Sequence, residues 1–234
     1  MFCIFGNYYQ KMEFSLTFKV NEHIYLRNPE SSDLGKKILK HSIDLIYEIG
    51  FEQFTFKKLA AVAETTEASI YRYFENKQKL LLYIINWYWC YLDFMLDYQL
   101  KNVIDKKEKI KIILHLLTDE MPNSNHEMEM NKYFIHRIVI AESSKVYLVK
   151  DVNEINQHEV FKPFKELCAK IAKVFSDYNP SYIFTKSLSS TAIETAHDQE
   201  FFVAHLPRLT DVNTKNKKNF TYTFLEDLVF KALA

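Results

Sequence analysis

A chain of 234 residues that is 48% apolar can bury a sizeable core, which excludes wholesale disorder. Only three glycines and five prolines are present, too few for the tight turns of a β-sandwich, so the composition points to helices. Lys plus Arg and Asp plus Glu both number 30; this balance excludes a protein that coats nucleic acid by bulk basicity and leaves room for a local basic patch.

The opening stretch MFCIFGNYYQ has neither a basic region nor a long apolar run, so it does not read as a signal peptide. Residues 1–11 fit no structural period, and read either as an unstructured arm or as residues ahead of a start at Met12. From 13 to 27, Phe14, Leu16, Phe18 and Val20, then Ile24 and Leu26, alternate with polar residues. Period two predicts a short N-terminal β-hairpin turning near Asn21.

The period then changes. Leu34, Ile38, Leu45, Ile46 and Ile49 recur at steps of three and four, with Ser31 or Ser32 as a cap and Gly50 as a stop. A second short helix follows Thr55, with Leu59, Ala60 and Ala63 on one face, and a third runs through EASIYRYF. Lys77 opens a fourth, long helix. Its run LLLYIINWYWCYLDFML, residues 80–96, holds Asn86 and Asp93 and reads as a helix buried on most sides, not as a membrane span. Five more helices are predicted near 107–120, 127–142, 157–177, 181–205 and 219–233. Pro163 should start or kink the third of these, and Pro180 behind Asn179 should open the fourth.

Three short helices with a tight turn between the last two describe a helix-turn-helix. Thr55 and Thr66 are cap residues and phosphate donors; Ser69 and Arg72 share a helix face at i, i+3. Ile70 and Phe74 should point inward, while Tyr71 and Tyr73 should expose their hydroxyls, and Lys77 should reach the DNA backbone. The complete set of expected DNA contacts is Thr55, Thr65, Thr66, Glu67, Ala68, Ser69, Tyr71, Arg72, Tyr73 and Lys77.

The stretch GFEQFTFKKLAAVAETTEASIYRYFENKQKLL resembles the DNA-binding domain of the tetracycline-repressor (TetR) family of bacterial regulators. Gly50, Phe51, Thr55, Leu59, Ala60, Ala63, Ile70, Tyr71, Tyr73, Phe74, Lys77 and Leu80 match that family's pattern in order and spacing. Glu64 departs from it, standing where the family has a turn glycine; it must take a disfavoured turn conformation, or the turn is built differently. Glu64 and Glu67 also bring negative charge near the DNA face.

The resemblance implies an all-α fold: an extension at 1–30, a DNA-binding domain at 31–76, and a helical effector-binding and dimerisation domain at 77–234. It further implies a cytoplasmic homodimer on double-stranded DNA carrying a palindromic operator, a repressor released by a small-molecule effector. The last two helices are its expected dimer interface, through Phe184, Leu188, Ala192, Thr195, Phe224 and Leu228. Trp87, Tyr91, Phe94, Met95, Tyr98, Phe134, Phe164 and Cys168 offer walls for an apolar or aromatic effector.

Other chemistry is not indicated. Cys3, Cys90 and Cys168 are odd in number and widely spaced, which fits a reducing compartment and no zinc site. The histidines show no HxxxH or HExxH spacing, so no metal or cofactor is expected. No nucleophile elbow or glycine-rich phosphate loop is present, so an enzyme is not expected. The competing reading is a helical interaction protein of the same fold that has lost DNA binding.

Overall fold

The computed structural model describes residues 17–119, 130–150, 152–213, 215 and 217–234. Within them the regular structure is helical, with no strand. Helix α1 spans Asp33–Gln53, α2 Phe56–Val62, α3 Glu67–Tyr71 and α4 Lys77–Leu100. The rest of the body comprises α5 Lys106–Thr118, α6 Lys132–Glu142, α7 Ser144–Tyr147, α8 Val152–Ile155, α9 Lys162–Tyr178, α10 Thr185–His205 and α11 Phe220–Ala232.

Local chemistry sets the ends of α1. The Ser32 side chain accepts from the Gly35 amide and Asp33 follows at the positive end of the helix dipole. Gly50 (φ 76°, ψ 156°) interrupts the helix, in a backbone region almost reserved for glycine. One further turn runs to Gln53. The carbonyls freed there are taken by Lys77, whose Nζ donates to those of Phe51, Glu52 and Phe54 at 3.1–3.3 Å.

Helix α4 forms the axis of the body. Asn76 caps it, accepting from the Lys79 amide, and residues 80–89 are buried without interruption. Helices α5, α6 and α9 pack around α4; α10 packs on α9, and α11 closes against α10 and α5. The apolar stripe of α9 delivers Leu167, Ile171 and Phe175 to this core. No helix of the described residues is long and apolar enough to cross a membrane.

The N-terminal hairpin is not found. Residues 13–16 of that expectation lie outside the described residues; over the remainder, Asn21 caps a 3-10 turn, Glu22–Ile24, rather than turning two strands. The alternating apolar residues instead dock an irregular segment on α4. Phe18 meets the rings of Trp87, Tyr91 and Phe94, with centroids 5.3–6.4 Å apart, while Val20 and Ile24 are buried and Leu26 is exposed. The Tyr83 hydroxyl donates to Glu30, and the Leu26 amide donates to the Tyr73 carbonyl.

Other boundaries also moved. Pro180 does not open α10: Asn179 accepts from both Ser181 N and Ser181 Oγ, forming a local turn, and the helix starts at Thr185. Pro163 does stand in the first turn of α9. Helix α6 begins at Lys132 behind its Asn131 cap; residues 127–129 of the expected helix lie outside the described residues. The short helices α7 and α8 were not anticipated.

Candidate nucleic-acid interface

Two threonine caps aim the second and third helices. Thr55 accepts from the Lys58 amide at 3.2 Å, and Thr66 accepts from the Ser69 amide at 3.2 Å. Between them the chain turns through Glu64, whose φ of 49° is left-handed. This is the disfavoured conformation expected of a side chain standing in a glycine's place. Thr65 N closes the turn on the Ala60 carbonyl at 2.9 Å. The Glu64 carboxylate pairs with Lys37 at 2.9 Å, and that hydrogen bond holds it below the usual carboxylate range.

The inward set is Leu59, Ala60, Ala63, Ile70 and Phe74, all buried. Thr55, Thr66, Glu67, Ala68, Tyr71 and Arg72 are exposed, and Thr65 and Ser69 half-buried. Tyr71 stands with its ring edge against Phe56, 5.0 Å between centroids, which steadies an exposed aromatic beside Arg72.

Two of the expected contacts are spent elsewhere. Tyr73 does not expose its hydroxyl: the residue is 2% exposed, and its oxygen lies 2.8 Å from Ser32 Oγ. Lys77 is half-buried and caps the end of α1, with its ammonium 4.7 Å from the Phe51 ring centroid. Both residues join the third and fourth helices to α1 instead of reaching outward. Conversely, sequence reasoning passed over Lys57. It is exposed beside the Thr55 cap, and none of the described residues bonds to it. Its position two residues past a cap threonine was the available signal.

Of the residues expected to form an effector pocket, Trp87 stacks on Tyr91 and Phe94 on Tyr98, at 5.7 and 6.5 Å between centroids, while the others make separate contacts. Phe134 stacks on Tyr47 at 3.9 Å, Phe164 packs on Trp89 at 4.6 Å, and Tyr98 is 69% exposed. Trp87 and Tyr91 are covered by Phe18, Phe94 is partly exposed, and Met95 packs against the core. Cys168 accepts from Ser189 through its carbonyl, while burial pushes its thiol up to about 11. The expected dimer residues divide similarly. Phe184 and Phe224 are exposed and Thr195 and Leu228 half-buried, but Leu188 and Ala192 are buried inside this chain. The small residues of SLSSTAIETA seat α10 on α9, so those two positions face inward.

The body also holds a buried polar cluster that spacing did not reveal. The Tyr88 hydroxyl lies 3.0 Å from His136 Nδ1 and 3.2 Å from His197 Nε2. His136 Nε2 and Arg137 Nη1 each reach a Glu200 oxygen at 2.9 Å. Burial pushes His197 down to about 3, leaving it neutral. Burial opposes ionisation of Glu200, but the His136 and Arg137 contacts outweigh it and hold the carboxyl low.

Residues 38–84 match the sequence profile of the family described as bacterial regulatory proteins, tetR family. They are a TetR-family helix-turn-helix domain. Solved structures share the fold over most of the chain at low identity. The fatty acid degradation regulator FadR from Bacillus halodurans is 15% identical, with a TM-score of 0.55 over 86% of this chain and 95% of its own. AibR, solved with isovaleryl coenzyme A and operator DNA, is 13% identical, with a TM-score of 0.57 over 83% and 96%. A protein from Syntrophomonas wolfei named as a TetR-family transcriptional regulator is 11% identical, with a TM-score of 0.60 over 86% and 96%. No curated protein sequence matches. The TetR-family domain is thus joined to a body of the fold such regulators carry.

Proposed function

We propose that the chain is a cytoplasmic, homodimeric transcriptional repressor that binds a palindromic operator and releases it when a small molecule enters the body. The observation that carries this reading is the edge of α3, where Thr66, Tyr71 and Arg72 are exposed and Ser69 is half-buried, together with the exposed Lys57 near the Thr55 cap of α2. In this reading Arg72 reaches base edges, Lys57 and the threonine hydroxyls take phosphates, and the two α3 helices of a dimer enter successive major grooves roughly 34 Å apart. Residues 31–76 form the DNA-binding unit and 77–234 the effector and dimer unit. The exposed Phe184 and Phe224 are the apolar anchors of the dimer face. The similar fold solved with both operator DNA and a coenzyme A thioester supports a two-ligand protein.

The test is retention of fragmented host genomic DNA at near-physiological salt, comparing wild type with a Lys57→Ala, Arg72→Ala double variant. Wild type should enrich a few palindromic fragments and the double variant none. Arg72→Ala alone should cost roughly 1–3 kcal/mol at the enriched site and relax its sequence preference. Should neither protein enrich anything, the interaction-protein reading replaces this one.

A further inference from the structure

A cavity of about 560 Å³ opens where the helix-turn-helix unit meets the body, a size within the range of small-molecule sites. It is built from the first turns of α4, the His23 turn of the N-terminal segment, α7 with Val149, and residues of the stretch 154–160. Its lining mixes two chemistries. Leu82, Val146, Val149, Ile155 and Val160 supply aliphatic walls, while Lys79, Lys145 and Glu154 are the charged residues of the lining. None of the aromatic residues singled out from the sequence lines it.

The walls are held from outside. The Asn21 side chain donates to the His158 carbonyl at 2.7 Å, and the His23 and His158 rings stack at 4.0 Å. Lys79 gives one N–H to the His23 carbonyl at 3.0 Å and keeps two donors free. Lys145 is shared between Glu142 of the body, at 2.8 Å, and Glu52 at the end of α1, at 2.6 Å.

We propose that this junction cavity binds a small amphipathic carboxylate, its hydrocarbon chain against the aliphatic walls and its head on Lys79 and Lys145. Lys79, whose ammonium bonds the His23 carbonyl and pairs with no carboxylate of the described residues, is the charge that selects an anion, and the aliphatic walls select an unbranched or lightly branched chain over a flat ring. A head group on Lys145 competes with Glu52, the partner that ties the body to α1. Occupancy therefore loosens the joint between the two units. That last step rests on the regulator reading above; the site itself does not.

Isothermal titration of the 234-residue chain with octanoate tests the site. Saturable binding near one equivalent is expected, with octanol and octylamine about tenfold or more weaker because they lack the negative head. Lys79→Gln should weaken octanoate about tenfold. Val149→Glu, which adds a carboxylate to the lining, should do the same and keeps the test decisive should Lys79→Gln unfold. Ile104→Ser, at a fully exposed position away from the cavity, should change nothing. Absence of saturable binding, binding indifferent to both cavity variants, or octylamine binding as well as octanoate would each overturn the proposal. Repeating the DNA retention with octanoate separates the two claims. Octanoate binding with unchanged DNA retention overturns the Glu52 coupling alone; a chain that never retains DNA overturns the regulator reading and leaves the site standing.

Discussion

The helix-turn-helix unit places most of its bonded polar side chains at the ends of helices, whereas the body, besides caps of its own, holds a polar cluster in the middle of its packing. Ser32, Thr55, Thr66 and Asn76 each satisfy an amide within three residues of themselves. Tyr88, His136, His197 and Glu200 bond to one another across separations of 48 to 109 residues, between α4, α6 and α10, leaving His197 Nδ1 without a partner among the described residues. A cap can be lost at the cost of one helix end. The buried cluster forms only when three helices are docked together, so it registers the docking and is exposed to any change in its protonation.

Acid should therefore separate the two regions most strongly. His197 has its folded value pushed far below the ordinary 6.5, so the unfolded chain takes up a proton that the folded chain refuses. Its contribution is intact above 6.5 and is lost as pH falls from there toward the folded value of about 3, at about 1.4 kcal/mol per pH unit. Glu194, raised mainly by burial, acts in the opposite sense. Denaturant melts of wild type and His197→Gln side by side between about pH 6 and 5 single out this histidine, because His41, which burial also lowers, contributes to both proteins alike. His197→Gln should flatten the slope there, and an equal slope in both proteins would remove His197 from the account.

Next in size is Lys77→Ala, which frees three carbonyls at the end of α1 and should cost about 1–3 kcal/mol in thermal melts. Because that ammonium already serves the protein, the salt dependence of DNA retention should hardly change; a slope flattened by about one unit would return Lys77 to the phosphate contacts. Glu64→Gly relieves a left-handed residue at the small expense of an exposed pair with Lys37, and should raise stability by roughly 0.5–1 kcal/mol. Lower stability would mean that the pair matters more than the torsion. Smallest is Lys57→Ala: the log–log salt slope should fall by about 0.9 with little effect on the melt, and an unchanged slope would remove Lys57 from the interface.

The legible parts of this chain were those whose cause is local. Ser32, Thr55, Thr66 and the start of α4 at Lys77 follow from capping and from steps of three and four, and the strain at Glu64 followed from a side chain in a glycine's place. The same pattern carried the TetR-family domain. Tyr73 and Lys77 misled because their types suit a DNA backbone equally well as a Ser32 hydroxyl or the end of α1, and only the third dimension chooses. The alternation around Val20 misled because an irregular segment docked on α4 can bury every second residue as a strand does. The cavity at the junction was beyond reach, since its lysines and aliphatic walls come from segments that no periodicity connects.

The two described glycines are irreplaceable for unrelated reasons. A Cβ on Gly35 would run into the Pro29 carbonyl oxygen, whereas one on Gly50 would meet nothing, and only the torsion there forbids it. In a saturation library sorted for folded protein, Gly35 should thus behave as a weld between α1 and the segment that crosses α4. No trimmed neighbour can rescue Gly35→Ala, because the obstacle is backbone. Sequences that have drifted apart everywhere else should still agree on that residue, or else have moved the whole N-terminal segment away from α1.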